Sequence, residues 1–203
     1  RELFRRLNTI SEGTLKLVRM RERIRSLKKD SNNLHFFDRS LLILFKYWFN
    51  PSFLVLESID WTTPANILEK IIAYEAVHEI NSWDDLRARL APTDRKCFAF
   101  FHPLMPNEPL IFVEVALTNN MPDSISEVIK IDRPITEEQD INTAVFYSIS
   151  NCQEGLSGIS FGNFLIKNVA HKLKQENDGL DKFVTLSPMP GFSKWLDNKS
   201  IEA

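Results

Sequence analysis

The sequence predicts an α+β chain, with an all-α front of about fifty residues followed by a mixed α/β sheet domain. Three observations predict it. Apolar residues in the front recur three or four positions apart, which is the spacing of a helical stripe. The pattern changes at Asn50-Pro51, a pair that ends helices. Beyond residue 95, segments rich in Phe, Val and Ile run in the order strand, strand, loop, strand, helix, strand. With 203 residues, 43% of them apolar, the chain can bury a sizeable core, which excludes disorder of the whole. Six glycines and ten prolines exclude collagen-like or low-complexity architecture. No stretch reaches the roughly 20 unbroken apolar residues of a membrane span, and no signal peptide with an apolar centre is visible. Cys97 and Cys152 make neither a disulfide scaffold nor a zinc spacing, so a reducing compartment is expected. The first residue is Arg rather than Met, which suggests a fragment or a processed product.

The first helix is predicted over Glu2–Lys29, with a break at Gly13, and Asp30-Ser-Asn-Asn33 forms a polar turn. Residues 1–29 carry ten Lys/Arg against three Glu, so a chain of net charge −2 has a strongly basic front. Arg19, Arg21, Arg23 and Arg25 alternate with Leu17, Met20, Ile24 and Leu27, so the basic residues are read as a solvated helix face. No aromatic interleaves with them to stack on bases, which argues against nucleic acid. A second helix is predicted over Leu34–Phe49, with Phe37, Leu41, Leu44, Phe45 and Trp48 on one face. Such wide apolar faces need partners beyond each other, so the pair is read as the end of a larger helical region.

After Pro51, Phe53–Leu56 is a short apolar run. Thr63 as cap and Pro64 in the first turn start a helix carrying Ile67, Ile71, Ile72 and Val77. Ser82 starts another, carrying Leu86 and Leu90. Strands are predicted over Lys96–His102, Leu110–Leu117, Thr143–Ser150 and Lys182–Leu186, with a proline-rich hairpin loop at Pro103–Pro109. Phe161–Gln175 is predicted as a helix from the register of Phe161, Leu165, Val169 and Leu173.

Two stretches carry candidate chemistry. Between a strand and a helix lie Gly155, Gly158 and Gly162. Glycine lets backbone amides approach a ligand, and the unpaired amides of a helix start bind anions such as a diphosphate. The same glycines would serve a turn that only lets strand and helix pack, and the residues alone leave both readings open. The Gly-x-x-x-Gly spacing is not the dinucleotide fingerprint and is closer to the pyrophosphate loop of coenzyme-A-binding acetyltransferase-like folds. The second stretch is Thr185–Phe192, where Ser187 sits at a strand end, a place where ligands bind, with Pro188 and Pro190 fixing the turn. Its hydroxyl suits hydrogen bonding to a carboxylate or an enolate oxygen, or proton transfer, and it equally suits capping a turn. No Gly-x-Ser-x-Gly elbow is present. His102, ending a strand, is the local acid–base candidate and is otherwise structural. His35 and His78 read as packed or boundary residues, and His171 as solvated. No two histidines have metal-ligand spacing. Glu114 faces opposite to Val113 and Val115 and reads as solvent-facing rather than as a site carboxylate. Nothing near Cys152 argues for an activated thiolate.

Several long motifs, in order, resemble the malonyl-CoA decarboxylase family, and its bacterial type in particular. They are His35-Phe-Phe-Asp-Arg-Ser-Leu-Leu42, Asp60-Trp-Thr-Thr-Pro-Ala-Asn66, Cys97-Phe-Ala-Phe-Phe-His-Pro103, Glu108–Thr118, Phe146-Tyr-Ser-Ile-Ser150 and Leu186–Leu196. The resemblance implies the end of a helical bundle over residues 1–49. Residues 50–203 would then be the first part of a catalytic domain of acetyltransferase-like (GNAT) fold, truncated at its C-terminal side. It implies the conversion of malonyl-CoA to acetyl-CoA and carbon dioxide, a carbon–carbon lyase reaction of fatty-acid and malonate metabolism, without metal, biotin or pyridoxal phosphate. It maps the coenzyme A loop onto Ser157, Gly158, Ile159, Ser160, Phe161, Gly162 and Asn163, and the catalytic serine onto Ser187. Some relatives carry glutamate where this chain has Ser160, which leaves that carboxylate's role open here. The family's histidine, in a His-x-x-Asn-Gly-Ala segment beyond the serine, has no match among the four histidines, so an incomplete catalytic unit is expected. A homo-oligomer through the helical region and a bacterial cytoplasm, or else a mitochondrial matrix, follow from the same likeness. An acyl-CoA-dependent acyltransferase on the same fold and a non-catalytic acyl-CoA-binding or interaction module are the alternatives.

Overall fold

The computed structural model describes residues 2–27, 32–189 and 191–200. Lys28, Lys29, Asp30, Ser31 and Pro190, which figure in the expected first helix, polar turn and serine turn, lie outside the described residues. The front folds as α1 (Glu2–Leu7), α2 (Gly13–Ser26) and α3 (Asn32–Trp48). The break expected at Gly13 falls just before it, at residues 8–12, and Gly13 opens α2. Glycine is needed there because an added Cβ would collide with the Leu7 carbonyl oxygen. Asn50 ends α3 as its Asn-Pro pair predicts, its side chain accepting the Ser52 amide at 3.0 Å.

Five strands make one mixed sheet, β1 (Val55–Ile59), β2 (Arg95–Phe101), β3 (Ile111–Thr118), β4 (Thr143–Asn151) and β5 (Lys182–Thr185). Their spatial order is their chain order. The first three pairings are antiparallel, and β4–β5 is parallel. Strand β1, read from the sequence only as an apolar run, pairs Val55 with Phe101 and Ile59 with Cys97. Its apolar alternation is diluted by Glu57 and Ser58, and as an edge strand it is mostly exposed.

Helices α4 (Ala65–Tyr74), α5 (Trp83–Leu90), α6 (Ile125–Ile129), α7 (Gly162–Glu176) and α8 (Phe192–Ser200) complete the described α-helices. Helix α4 ends before Val77, and Pro64 rather than Thr63 occupies its cap; the Thr63 hydroxyl instead accepts the Asp60 amide at 3.0 Å. Ser82 caps α5 as expected, accepting the Asp85 amide at 3.1 Å. The short α6, with Ile125, Val128 and Ile129, and the exposed α8, with Phe192, Trp195 and Leu196, carry apolar residues at helical spacing over too few turns for the pattern to predict them.

The alternation of β2, β3 and β4 divides the interior. Phe98, Phe100, Val113, Val115 and Phe146 face α7 through Leu165, Val169 and Leu173, and they share that cluster with Leu17, Val18, Leu41 and Phe45 of the front helices. The sheet is therefore one further partner of the apolar faces of α2 and α3, while Phe36 and Phe37 of α3 stay exposed. On the other face Cys97, Ala99, Phe101 and Phe112 pack on α4 and α5 through Ile67, Leu68, Ile71 and Leu86.

Two expectations about charge are overturned. Arg21 does not belong to a solvated face; it is 1% exposed. Its Nε donates to Asp38 of α3 at 2.9 Å, and its Nη1 donates to the carbonyls of Gly155 and Ser157 at 2.7 and 2.8 Å. Nor does Glu114 face solvent. It does point away from Val113 and Val115, but helix α5 covers that side and leaves the carboxylate fully buried, paired with Arg89 at 2.9 Å. Alternation predicted the face correctly and said nothing of what covers it.

The contact of α2 with the glycine turn is testable. Arg21→Met leaves Asp38 and two carbonyls without this donor in a dry interior, and it is expected to lower unfolding free energy by about 3–5 kcal/mol in denaturant titrations. Gly155→Ala is expected to destabilise as well, because its Cβ would collide with the Val18 carbonyl oxygen of α2.

Candidate functional site

The site forms where β4 and β5 part. Their parallel pairing runs only from Thr143–Lys182 to Phe146–Thr185, and the Leu186 amide closes it on the Phe146 carbonyl at 2.9 Å. At the next residue β4 bulges. Glu114 of β3 sits opposite Ser148 and Val115 opposite Phe146, so Tyr147 is an extra residue with no partner on β3. A bulge bends and twists its strand. Beyond it β4 continues to Asn151 without β5 beside it. Ser187 follows the end of β5 and is exposed at this opening.

A cavity of about 220 Å³ lies there, lined by Ser187 with Leu186 and Pro188, by Asp123, Ser124 and Ile125, and by His78. Two larger depressions, of about 470 and 540 Å³, lie around Arg95–Arg133 and around Thr93–Leu180 and contain none of the predicted site residues.

Pinned beneath this opening is Glu75, the residue that follows α4. Its carboxylate accepts the Val77 and His78 amides, both at 2.8 Å, and the Ser148 hydroxyl at 2.7 and 2.8 Å. It also accepts the Ser150 hydroxyl at 3.2 Å. The segment after α4 is thereby tied to the part of β4 that β5 has left. Nothing in the sequence pattern marked Glu75, since a lone glutamate after a helix carries no spacing signal.

Deeper in, Glu114 is pushed up to about 7, because burial disfavours its charge more than Arg89 restores it. Burial and the nearby Glu114 push the Tyr147 phenol well above its ordinary value. The thiols of Cys97 and Cys152 are likewise raised by burial, which fits the inert reading of Cys152. His102 is structural: its Nε2 lies 3.1 Å from the Trp48 carbonyl, its Nδ1 accepts the Leu104 amide at 3.2 Å, and burial lowers its pKa. His35 and His171 are exposed on α3 and α7. Among the described residues, no three His, Cys, Asp or Glu side chains gather as metal ligands.

The predicted anion loop lies at the other end of the open stretch of β4. Residues 154–156 form a 3-10 turn, Gly158 has φ +90°, and Gly162 starts α7 with no side-chain cap. That leaves the helix's first amides without a side-chain acceptor, as the anion reading requires. Ser157 accepts a hydrogen bond from Arg25 of α2 at 3.1 Å. Ser160 and Asn163 are exposed, Ile159 and Gly162 half-buried, and Phe161 is buried in the core. A cavity of about 170 Å³ opens against Ser157, Gly158 and Ile159. Part of the turn also serves packing, since Gly155 and the Ser157 carbonyl are where Arg21 and α2 dock. One turn thus packs against α2 at Gly155 and leads to the uncapped start of α7 at Gly162.

Residues 52–203 match the family described as Malonyl-CoA decarboxylase C-terminal domain, and residues 1–49 match Malonyl-CoA decarboxylase N-terminal domain. The crystal structure of malonyl-CoA decarboxylase from Rhodopseudomonas palustris is 56% identical with a TM-score of 0.91, covering 98% of this chain and 49% of that one. That from Agrobacterium vitis is 57% identical at the same TM-score of 0.91, covering 97% and 47%. The mitochondrial malonyl-CoA decarboxylase of Anser anser anser is 39% identical over 202 residues, which is 97% of this chain and 40% of the relative. The chain thus spans about two-fifths of the length of this curated relative and about half that of the solved structures.

The buried Glu114 gives a pH signature. Its folded pKa, about 7, lies above its ordinary 4.5, so between these values the folded state holds a proton that the unfolded state has lost. Its contribution to stability is complete below about 4.5 and declines as pH rises through about 7. Melting temperatures from pH 5 to 8 are expected to fall for the native chain relative to Glu114→Gln, with most of the gap opening by about pH 7 and levelling off by pH 8.

Proposed function

The chain belongs to the malonyl-CoA decarboxylase family, and on that premise we propose that it serves the decarboxylation of malonyl-CoA to acetyl-CoA and carbon dioxide. The observation that carries the proposal is the opening between β4 and β5. It has an uncapped helix start and glycine turn on one side and an exposed serine on the other. We read the fold as acetyltransferase-like. Residues 1–49 would be the end of a helical bundle and residues 50–203 the first part of the catalytic domain.

In this reading the amides from Ser157 to Asn163 take the coenzyme A diphosphate, at the positive end of α7. Held there, the pantetheine arm runs along the unpaired stretch of β4, and its acyl end reaches the Ser187 cavity. Ser187 positions the malonyl carboxylate. The bond between that carboxylate and the α-carbon then breaks, carbon dioxide leaves, and the electron pair becomes the enolate of the thioester. The thioester carbonyl is itself the electron sink, so the step asks for no metal, biotin or pyridoxal phosphate. Donors near that oxygen lower the barrier, because they bind the enolate better than the ground state. A proton delivered to the α-carbon completes acetyl-CoA.

Acetyl-CoA formation from malonyl-CoA by the full-length protein tests the reading. Ser187→Ala is expected to reduce kcat/KM by about 10²–10⁴-fold; turnover at the native rate would move the chemistry away from Ser187. Gly158→Val is expected to weaken coenzyme A binding about tenfold in calorimetry. The φ of +90° does not suit a branched side chain, and Leu42 already lies 3.5 Å from the site of its Cβ.

A further inference from the structure

We propose that His78 is a second substrate-positioning residue, forming with Ser187 a two-donor clamp for the free carboxylate that distinguishes a malonyl from an acetyl thioester. The proposal rests on the reading of the Ser187 cavity given above.

His78 and Ser187 come from separate parts of the chain, 109 positions apart, and line one cavity of about 220 Å³. That space suits a small acyl head rather than a whole ligand. Of the side chains around it, Leu186, Ile125 and Pro188 offer no hydrogen bond. Asp123 is an exposed carboxylate that only accepts when ionised. The Ser124 hydroxyl is committed to the first turn of α6, lying 2.7 Å from the Ser126 hydroxyl and accepting the Ser126 amide at 3.3 Å. The His78 ring and the Ser187 hydroxyl remain, and among the described residues neither has a hydrogen-bond partner. Two donors left idle on one small cavity call for a group rich in acceptors, and a carboxylate is such a group.

The histidine is held in place rather than draped over the surface. Its amide donates to Glu75 at 2.8 Å, and Glu75 is fixed in turn by Ser148 and Ser150 of β4. Its ring leans on Tyr147, the bulged residue, with centroids 6.3 Å apart and planes at 33°. The bulge that parts β4 from β5 thus also supplies the surface that orients the imidazole.

The chemistry favours such a clamp over an ion pair. Decarboxylation moves negative charge from the carboxylate to the thioester oxygen. An arginine on the carboxylate would stabilise the ground state and raise the barrier. A hydroxyl and an imidazole orient the group at lower cost to the reaction, and among the described residues no Lys or Arg lines the cavity.

Steady-state kinetics with malonyl-CoA, and inhibition by acetyl-CoA, test this in the full-length protein. His78→Gln and His78→Ala are each expected to raise KM for malonyl-CoA about tenfold or more. The inhibition constant of acetyl-CoA, which lacks the carboxylate, is expected to stay within twofold. Glu75→Gln, which loosens the segment but keeps the imidazole, is expected to give a smaller rise in the same direction. An unchanged KM in the His78 variants would overturn the proposal. So would equal weakening of malonyl-CoA and acetyl-CoA, which is the mark of a merely structural role. A native protein that neither turns over malonyl-CoA nor is inhibited by acetyl-CoA would instead overturn the reading of the cavity itself, and the clamp with it.

Discussion

The buried Arg21 guanidinium is the constraint on which the arrangement depends. A cation taken out of water is tolerated only when its donors are satisfied, and here they are met by a carboxylate of α3 and by two carbonyls of the glycine turn. One side chain therefore ties two helices of the front to the loop that precedes α7. The close approach this needs is possible because residue 155 has no side chain to hold α2 away. The helical front is in this way part of the site's scaffold, and Arg25, one turn further along α2, reaches the Ser157 hydroxyl from the same direction.

Strand β4 is the second organising element. Before the bulge it is a buried interior strand paired on both sides; after it, one edge is open. An open edge in the middle of a sheet exposes backbone donors and acceptors that must find partners. The residues around it are accordingly polar or held by polar groups. Ser148 and Ser150 bind Glu75, and Tyr147 is buried near the Arg89–Glu114 pair. The buried charges support the opening, while the side chains left idle, Ser187 and His78, face into it.

Most of the sheet was legible in the sequence because β2, β3, β4 and the helix α7 carry dense apolar periods, and a period reports directly on a buried face. Ser82, Asn50 and Pro51 marked element ends through local chemistry that does not depend on the rest of the fold. Strand β1, α6 and α8 were missed for the converse reason: they are short, polar or exposed, and tertiary pairing rather than pattern defines them. Of the candidate site, the glycine turn was legible because glycine at a strand–helix junction has a backbone meaning, and Ser187 because it ends a strand. His78 is packed at a helix boundary as its position suggests, but its place beside Ser187 has no local signal, and Glu114 and Arg21 are buried where the pattern alone points to solvent. In each case the covering element comes from elsewhere in the chain.

By itself the sequence determined the fold class, the strand-to-helix glycine turn, the family likeness and the face to which Glu114 points. These follow from local geometry, from a repeat of two in strands and 3.6 in helices, and from motifs long enough to identify. The tertiary structure alone decided which charges lose their water and which distant side chains share a cavity. Burial and convergence depend on contacts between residues tens of positions apart, and no local pattern encodes those. Arg21 meets Gly155 and His78 meets Ser187 only once the sheet has brought them together.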